Sequence, residues 1–502
     1  MLRIKSNGVQ RIHKKVIFVL VDSLMAQAID RGLKQNKLPA FRFLIDHGQY
    51  YTNMVSSFPT MSVTIDSSLL TGTFPDKHRL PGLSWYSPKE KKVISYGSGP
   101  LEVMKHGVIT VLSHALIDLN QKHLNPAIPT LHEELHHMGL TSGSINGLVY
   151  RGAANHRLTL PLPLGEITTL PKEISVKGPD FFTLGALSNP LAGIKDLPVG
   201  PTEDMGMNNK YAVETASYLV KTKKLPDFLL VYLPDLDGTI HKNGPSELEG
   251  VIKADQSINS LLQSFGSSEK AIKETIFIVA GDSGMSQVLP VGKNAVVHLP
   301  SLLQNFNVLQ PGEDVSDATE IVLGVNDTMS YVYNLKKSIP LRKLAEILRT
   351  DKRIDTISWA EKDWIYSMQG GSTKELRFKK GGTWVDSYDQ KWTVSQDVDV
   401  LDLRLKTSKH KLSYGKYPDV LQRIYSSLHS HAENLLVVTA KPGYELAETS
   451  SPTHRSGGAH GGLDESASLV PLIINGTDQK PEHLRIVDLK RFLIKLLSEQ
   501  KK

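Results

Sequence analysis

The chain has 502 residues, 40% hydrophobic and 22% charged, which is core material for two or three domains and excludes a disordered chain. Its 58 basic and 52 acidic residues leave a net charge of +6, mild for this length, and the bases are scattered apart from Lys14-Lys15 and Lys501-Lys502, so no nucleic-acid partner is expected. With no cysteine, disulfides, thiolate metal sites and a thiol nucleophile are excluded.

Residues 1 to 15 read as a polar lead-in. VIFVLV, residues 16 to 21, is too short for a signal-peptide core or a membrane span, so the expectation is a cytoplasmic protein with no membrane partner. Its β-branched run shows no alternation, as in a strand buried on both faces. Residues 26 to 47 read as helical with a break at Lys37-Leu38-Pro39. In SSFPTMSVTIDSSLLTGTFPDKH, residues 56 to 78, Thr60, Ser62 and Thr64 alternate before a helix-like stretch that ends at Thr71-Gly72. A hydroxyl at a helix N-terminus is placed to attack and to hold an anion, or it is a plain N-cap.

PTLHEELHHMG, residues 129 to 139, contains His132-Glu133 and His136 at the spacing of a zinc-protease helix. The competing reading is an amphipathic helix capped by Thr130, stopped by Gly139 and buried through Leu131, Leu135 and Met138. DFLLVYLP (227 to 234) and TIFIVA (275 to 280) are further buried-strand candidates, with a helical pattern at 248 to 265 between them. Strands alternating with helices predict an α/β fold on a mainly parallel sheet sandwiched by helices. Near residue 310 the texture turns to short strands, a helix LRKLAEILRT and glycine-rich turns. We expect an inserted α+β lobe over 316–427 and a core domain formed by 1–315 and 428–502. NLLVVTA and SLVPLIING return to strand texture, and a helix closes the chain.

Three of these strands run into an aspartate: VLVD ends on Asp22, YLPDLD on Asp237 and AGD on Asp282. In a parallel sheet the C-terminal strand ends share one edge, where ligand sites form. Aspartate is common where strands turn into loops. Carboxylates that converge, however, repel unless a cation lies between them. His241 stands four residues after Asp237, and His460 sits in the glycine-rich loop SGGAHGG. One carboxylate and two imidazoles leave an open position, as in a catalytic zinc site.

Together VIFVLVDS, FPTMSVTIDSSLLTGTFPDKHRLPGLSWY, YLPDLDGTIHKNGP, IVAGDSGMS and GGAHGGLDESASLVPLIING resemble the alkaline phosphatase superfamily, and within it the type I phosphodiesterase/nucleotide pyrophosphatase family. The resemblance implies an alkaline-phosphatase-like fold and two divalent metal ions. Asp22, Ser62 and Asp282 would bind one ion, Asp237, His241 and His460 the other, and Ser62 would be the attacking nucleophile on a small-molecule phosphoester. Zinc is expected at Asp237/His241/His460. The family has a histidine where this chain has Ser283, so the Asp22/Ser62/Asp282 site offers oxygen only, a set that suits Mg²⁺ or Mn²⁺ as well as Zn²⁺. Leu83 stands where nucleotide pyrophosphatases place an asparagine that bonds a phosphoryl oxygen. The expected activity is hydrolysis of phosphoric esters. The alternatives are a catalytically impaired binding protein, or a phosphomonoesterase, phosphonate hydrolase or phosphomutase of the same superfamily.

Overall fold

The structure is a computed structural model that describes residues 14–160, 170–432 and 434–498. A seven-stranded sheet runs in the order Gln49–Val55, Leu469–Asn475, Thr275–Gly281, Lys15–Val21, Phe228–Leu233, Ser142–Ile145 and Phe181–Thr183. The last five are mutually parallel. Leu469–Asn475 runs antiparallel to both of its neighbours.

The absence of alternation in VIFVLV has a direct cause. Val16, Phe18 and Leu20 pack into the core on one face of the sheet, and Ile17, Val19 and Val21 into the core on the other. Helices Asn209–Lys221 and Glu249–Gln263 cover the Ile17 face. Helices Ser62–Thr71 and Leu489–Ser498 cover the Phe18 face. Each such fully buried aliphatic or aromatic side chain stabilises the fold by roughly 1.5–3 kcal/mol. The expected mainly parallel, helix-sandwiched sheet is therefore present. The break expected at Lys37-Leu38-Pro39 separates helices Ala26–Lys34 and Pro39–Asp46. Residues 1–13 of the expected lead-in lie outside the described residues.

The second sheet starts at Ile321–Asn326 and has nine strands, nearly all antiparallel. One of them, Leu435–Ala440, lies beyond residue 427 in sequence yet sits between Met329–Asn334 and Ile354–Glu361. The sheet's turn at residues 326–329 reaches the start of a separate two-stranded hairpin, Ser84–Ser87 with Lys92–Ser95. Asn326 Oδ1 accepts from the amides of Leu83 (2.7 Å) and Ser84 (3.1 Å), and its Nδ2 donates to Ser84 O at 2.9 Å. Among the described residues no helix is long and apolar enough to cross a membrane.

Candidate active site

Asp22, Asp237 and Asp282 each follow a strand of the first sheet at its C-terminal edge. Asp22 follows Val21 directly, and its backbone amide donates to Leu233 O at 3.0 Å, tying it to the strand that leads to Asp237. Asp237 lies in the first turn of helix Asp235–Asn243. His241 is one turn on, so both side chains share a face of that helix. The His241 Nε2 is 3.4 Å from Asp237 Oδ1, and the His460 Nε2 is 3.7 Å from the same oxygen. The ligand atoms of Asp237, His241 and His460 all lie within 4.8 Å of one another.

Backbone carbonyls orient both imidazoles. His241 Nδ1 donates to Gly458 O at 2.8 Å, and His460 Nδ1 donates to Thr60 O. Each bond fixes the tautomer and leaves Nε2 as the free nitrogen facing Asp237. The loop that carries His460 is held on two sides. The Gly461 amide donates to Thr60 Oγ1 at 2.7 Å, and Thr328 donates to His460 O from its amide (3.0 Å) and its hydroxyl (2.7 Å). Gly461 has φ +112°, and a Cβ there would lie 2.5 Å from Asn326 O, so glycine is required by conformation and by space.

The Asp22–Asp282 side is built differently. Asp282 Oδ1 accepts from the amides of Ser23 (2.8 Å) and Ser283 (2.6 Å), while its Oδ2 is buried without a hydrogen-bond partner. Asp22 Oδ2 accepts from the Tyr232 hydroxyl. Ser23, with φ 56°, projects its hydroxyl into the middle of the group. It donates to Asp237 Oδ1 at 2.8 Å, and lies 3.2 Å from Ser283 Oγ and 3.4 Å from Asp22 Oδ1. Ser283 is fully buried, and its hydroxyl bonds to Ser23.

Among the described residues, no Lys or Arg pairs with Asp22, Asp237 or Asp282. Burial, and then the charges of Asp282 and Asp237, push the Asp22 carboxyl well above the usual carboxylate range. Burial also raises Asp282, against the opposing pull of the Ser23 amide. Burial lowers the pKa of His241, which favours the neutral imidazole that a metal needs.

Ser62 is the first residue of helix Ser62–Thr71 and is half-buried. Thr60, two residues before it, carries both of the bonds from the His460 loop. The structure therefore brings Asp237, His241 and His460 into one cluster, links it through Ser23 to Asp22 and Asp282, and sets Ser62 on the segment bonded to the His460 loop. Among the described residues the Ser62 hydroxyl makes no hydrogen bond.

Three contributors to this rim carried no signal in the sequence: Ser23, Tyr232 and a second cluster around His454. The His454 ring packs on His241 with centroids 4.1 Å apart, and its Nδ1 lies 2.8 Å from Oε1 of the fully buried Glu445 and 4.0 Å from Asp327. Asp327 comes from the turn of the second sheet. Burial opposes charge on His454, but the Glu445 hydrogen bond and the fields of Asp327 and Glu445 outweigh it and raise its pKa.

The zinc-protease pattern at 132–136 is a helix cap. Thr130 and Glu133 form a reciprocal capping box at the start of helix Leu131–His137, and Glu133 also pairs with Arg151 at 3.2 Å. His132 is buried against Phe228, whereas His136 is exposed toward Asp180.

A family model described as Type I phosphodiesterase / nucleotide pyrophosphatase matches residues 16–463. A search of curated proteins finds no match. Among solved structures the chain is similar to murine ectonucleotide pyrophosphatase / phosphodiesterase 5 in an inactive Thr-to-Ala form with AMP. That match has 14% identity and a TM-score of 0.56, and it covers 97% of this chain and 95% of the other. It is similar also to the human protein of that name, at 16% identity and a TM-score of 0.54, with the same coverage. At these identities the structural likeness bears on the fold.

Proposed function

The chain belongs to the type I phosphodiesterase/nucleotide pyrophosphatase family of phosphoric ester hydrolases, and on that footing we propose that it cleaves phosphodiesters with Ser62 as nucleophile at a pair of divalent cations. The observation that carries this reading is the convergence of Asp22, Asp237, Asp282, His241 and His460, with no Lys or Arg paired to the aspartates among the described residues. The donor set fits the cations. Asp282 Oδ2 is buried without a partner, and both imidazoles present Nε2 toward Asp237. Asp237, His241 and His460 would hold one ion, a set suited to zinc. Asp22, Asp282 and Ser62 would hold the other, an oxygen set suited to Mn²⁺ or Mg²⁺.

Bound there, the cations would neutralise phosphoryl charge and lower the pKa of the attacking hydroxyl. The chain's own groups do the rest. The Ser62 oxygen attacks phosphorus as the bond to the leaving alkoxide breaks, giving a phosphoseryl ester that water then cleaves, restoring the hydroxyl. Among the described residues the amides of Ser62 and Val63, at the start of helix Ser62–Thr71, make no hydrogen bond, whereas that of Thr64 donates to Met61 O, and the free pair favours anionic phosphoryl oxygens. The Gly458 and Thr60 carbonyls keep the imidazoles in the ligating tautomer. The murine relative's complex with AMP supports a small phosphoester as the substrate class.

The test is hydrolysis of bis-p-nitrophenyl phosphate and of p-nitrophenyl phosphate by chelator-treated protein resupplied with Mn²⁺, Mg²⁺ or Zn²⁺. Metal-dependent turnover that favours the diester and is lost in Ser62→Ala is expected. Folded protein without turnover under any metal would overturn the reading in favour of a binding protein.

A further inference from the structure

A cavity of about 850 Å³ lies apart from the carboxylate rim. Its walls come from the end of helix Pro75–His78, the hairpin Ser84–Ser87 with Lys92–Ser95, and the tip of the hairpin that joins Ile354–Glu361 to Trp364–Gln369. A second cavity of about 370 Å³ adjoins it, and Ala360, Lys362 and His429 line both. None of the residues assigned to the candidate active site lines either one. The first has the size of a small-molecule site.

Six bases line the two cavities: Arg79, Lys89, Lys122, Lys362, Lys379 and Lys380. The acids there are Asp76, Glu90 and Asp363. Glu90 is neutralised locally, with Oε2 3.0 Å from Lys122 Nζ and Oε1 3.5 Å from His123 Nε2. Asp76 lies 3.8 Å from Lys77, which is outside the lining. Among the described residues the other five bases form no ion pair with a carboxylate. Two of them rest on rings instead. Lys380 Nζ is 3.9 Å from the Tyr425 ring centre, and Lys379 Nζ is 4.9 Å from that of Trp364, where Arg377 also packs at 4.7 Å. A ring orients a cation without cancelling its charge, as a carboxylate would. Burial works against the charge of Lys380 more than the field of Asp76 supports it. Lys362 holds φ 54° at its hairpin tip, where glycine or asparagine would sit with less strain.

Cations gathered around a cleft repel one another, and a bound anion removes that repulsion. The rings at the cleft are already engaged. Trp85 packs edge-to-face with His123 and His431, and Tyr425 stacks with His429 at 4.2 Å. A nucleobase therefore finds no open platform, and what the cleft offers is charge. We propose that it binds a compact polyanion, a small molecule carrying several phosphate groups, at a site separate from the catalytic carboxylates.

Calorimetric titration of the chelator-treated full chain with inorganic tripolyphosphate at low ionic strength tests this. Without metal the active-site aspartates repel the probe, so the binding observed is that of the cleft. One site per chain is expected. Lys362→Glu/Lys380→Glu should weaken it by about 10-fold or more, and added salt should weaken it likewise. Lys34→Glu/Lys37→Glu makes the same change in net charge at exposed bases outside the cleft and should leave binding within about twofold, as should Asp237→Asn. Orthophosphate should bind at least about 10-fold more weakly than tripolyphosphate, because it meets fewer of the bases. Absence of tripolyphosphate binding, or equal binding in the Lys362/Lys380 variant, would overturn the proposal. So would tighter binding in Asp237→Asn, which would place the probe at the active site. Orthophosphate binding as well as tripolyphosphate would reduce the cleft to a single-anion site, and single-stranded DNA binding more tightly than either would make it a nucleic-acid surface; each result overturns the compact polyanion. Thermal melts check that the variants fold, and Lys89→Gln/Lys362→Gln, which only removes charge, carries the same expectation if the charge reversal does not.

Discussion

Replacing Asp237 with asparagine should change the sign of its effect on stability when metal is added. The Ser23 hydroxyl lies 3.4 Å from Asp22 Oδ1 and 2.8 Å from Asp237 Oδ1, which limits the distance between those oxygens. At a separation of about 6 Å and an effective dielectric of about 20, two unit charges repel by roughly 3 kcal/mol. Asp22 relieves part of this by holding its proton, since burial and its acidic neighbours push its carboxyl well above the usual range. About 1–2 kcal/mol of repulsion then remains for Asp237→Asn to remove in metal-free protein. The substitution is nearly isosteric and keeps the acceptor for Ser23. For a chain of this length, 1 kcal/mol moves Tm by about 1 °C, so the chelated variant should melt about 1–2 °C higher than the parent. In Mn²⁺ at about 100 times Kd, each occupied site adds about 2.7 kcal/mol to the protein that binds it, and the order should invert. Scanning calorimetry with chelator and then with Mn²⁺ reads both halves. A variant that melts lower by the same amount in both conditions would show that Asp237 is held for packing, and the argument from repelling carboxylates would fail.

Burial first, and like charges second, raise Asp22, while Asp282 is raised chiefly by burial, so the folded protein holds these protons more tightly than the unfolded chain does. Their stabilisation is complete below the ordinary carboxylate pKa of about 4 and is lost as pH rises through the raised values, so chelated protein should lose stability with rising pH over that window. Mn²⁺ affinity, followed by calorimetry, should change in the opposite direction and weaken in acid, because the ligands must shed their protons. Asp255 accepts from the amides of Phe41 at 2.8 Å and Ala40 at 3.3 Å at the start of helix Pro39–Asp46. Asp255→Ala should cost about 1–3 kcal/mol in urea unfolding, and an unchanged midpoint would show that water replaces the bond. Asn326→Ala removes the side chain that holds Leu83 and Ser84. It should cost about 2–4 kcal/mol and raise amide exchange at Leu83 and Ser84; unaltered exchange there would refute the clamp.

The central sheet was legible because its strands are apolar at every position. Val16 through Val21 leave no polar residue for solvent, and both faces of the sheet need apolar partners. The aspartates were legible because strand ends on one edge of a parallel sheet must converge. His454 and Asp327 were not legible. Their meeting with His241 depends on where a turn of the second sheet docks, and no periodicity encodes that. Ser23 and Tyr232 were hidden for a different reason. A serine after a strand and a tyrosine within one are ordinary residues, and only the register of Lys15–Val21 against Phe228–Leu233 puts the Tyr232 hydroxyl on Asp22. In the 132–136 segment a metal-site spacing coincided with a capping box, and the box accounts for its glutamate.

The loop around His460 is fastened to Thr60 of the first sheet's helix layer and to Thr328 at a turn of the second sheet. A relative shift of the two sheets would therefore pull on His460 before most of the surrounding core was disturbed. His460 acts as a rivet between the two sides, its ring bonded to Thr60 O and its backbone carbonyl to Thr328, so substitutions in the remote 354–414 strands that loosen the seam should register first as weakened ion retention, ahead of any change in melting.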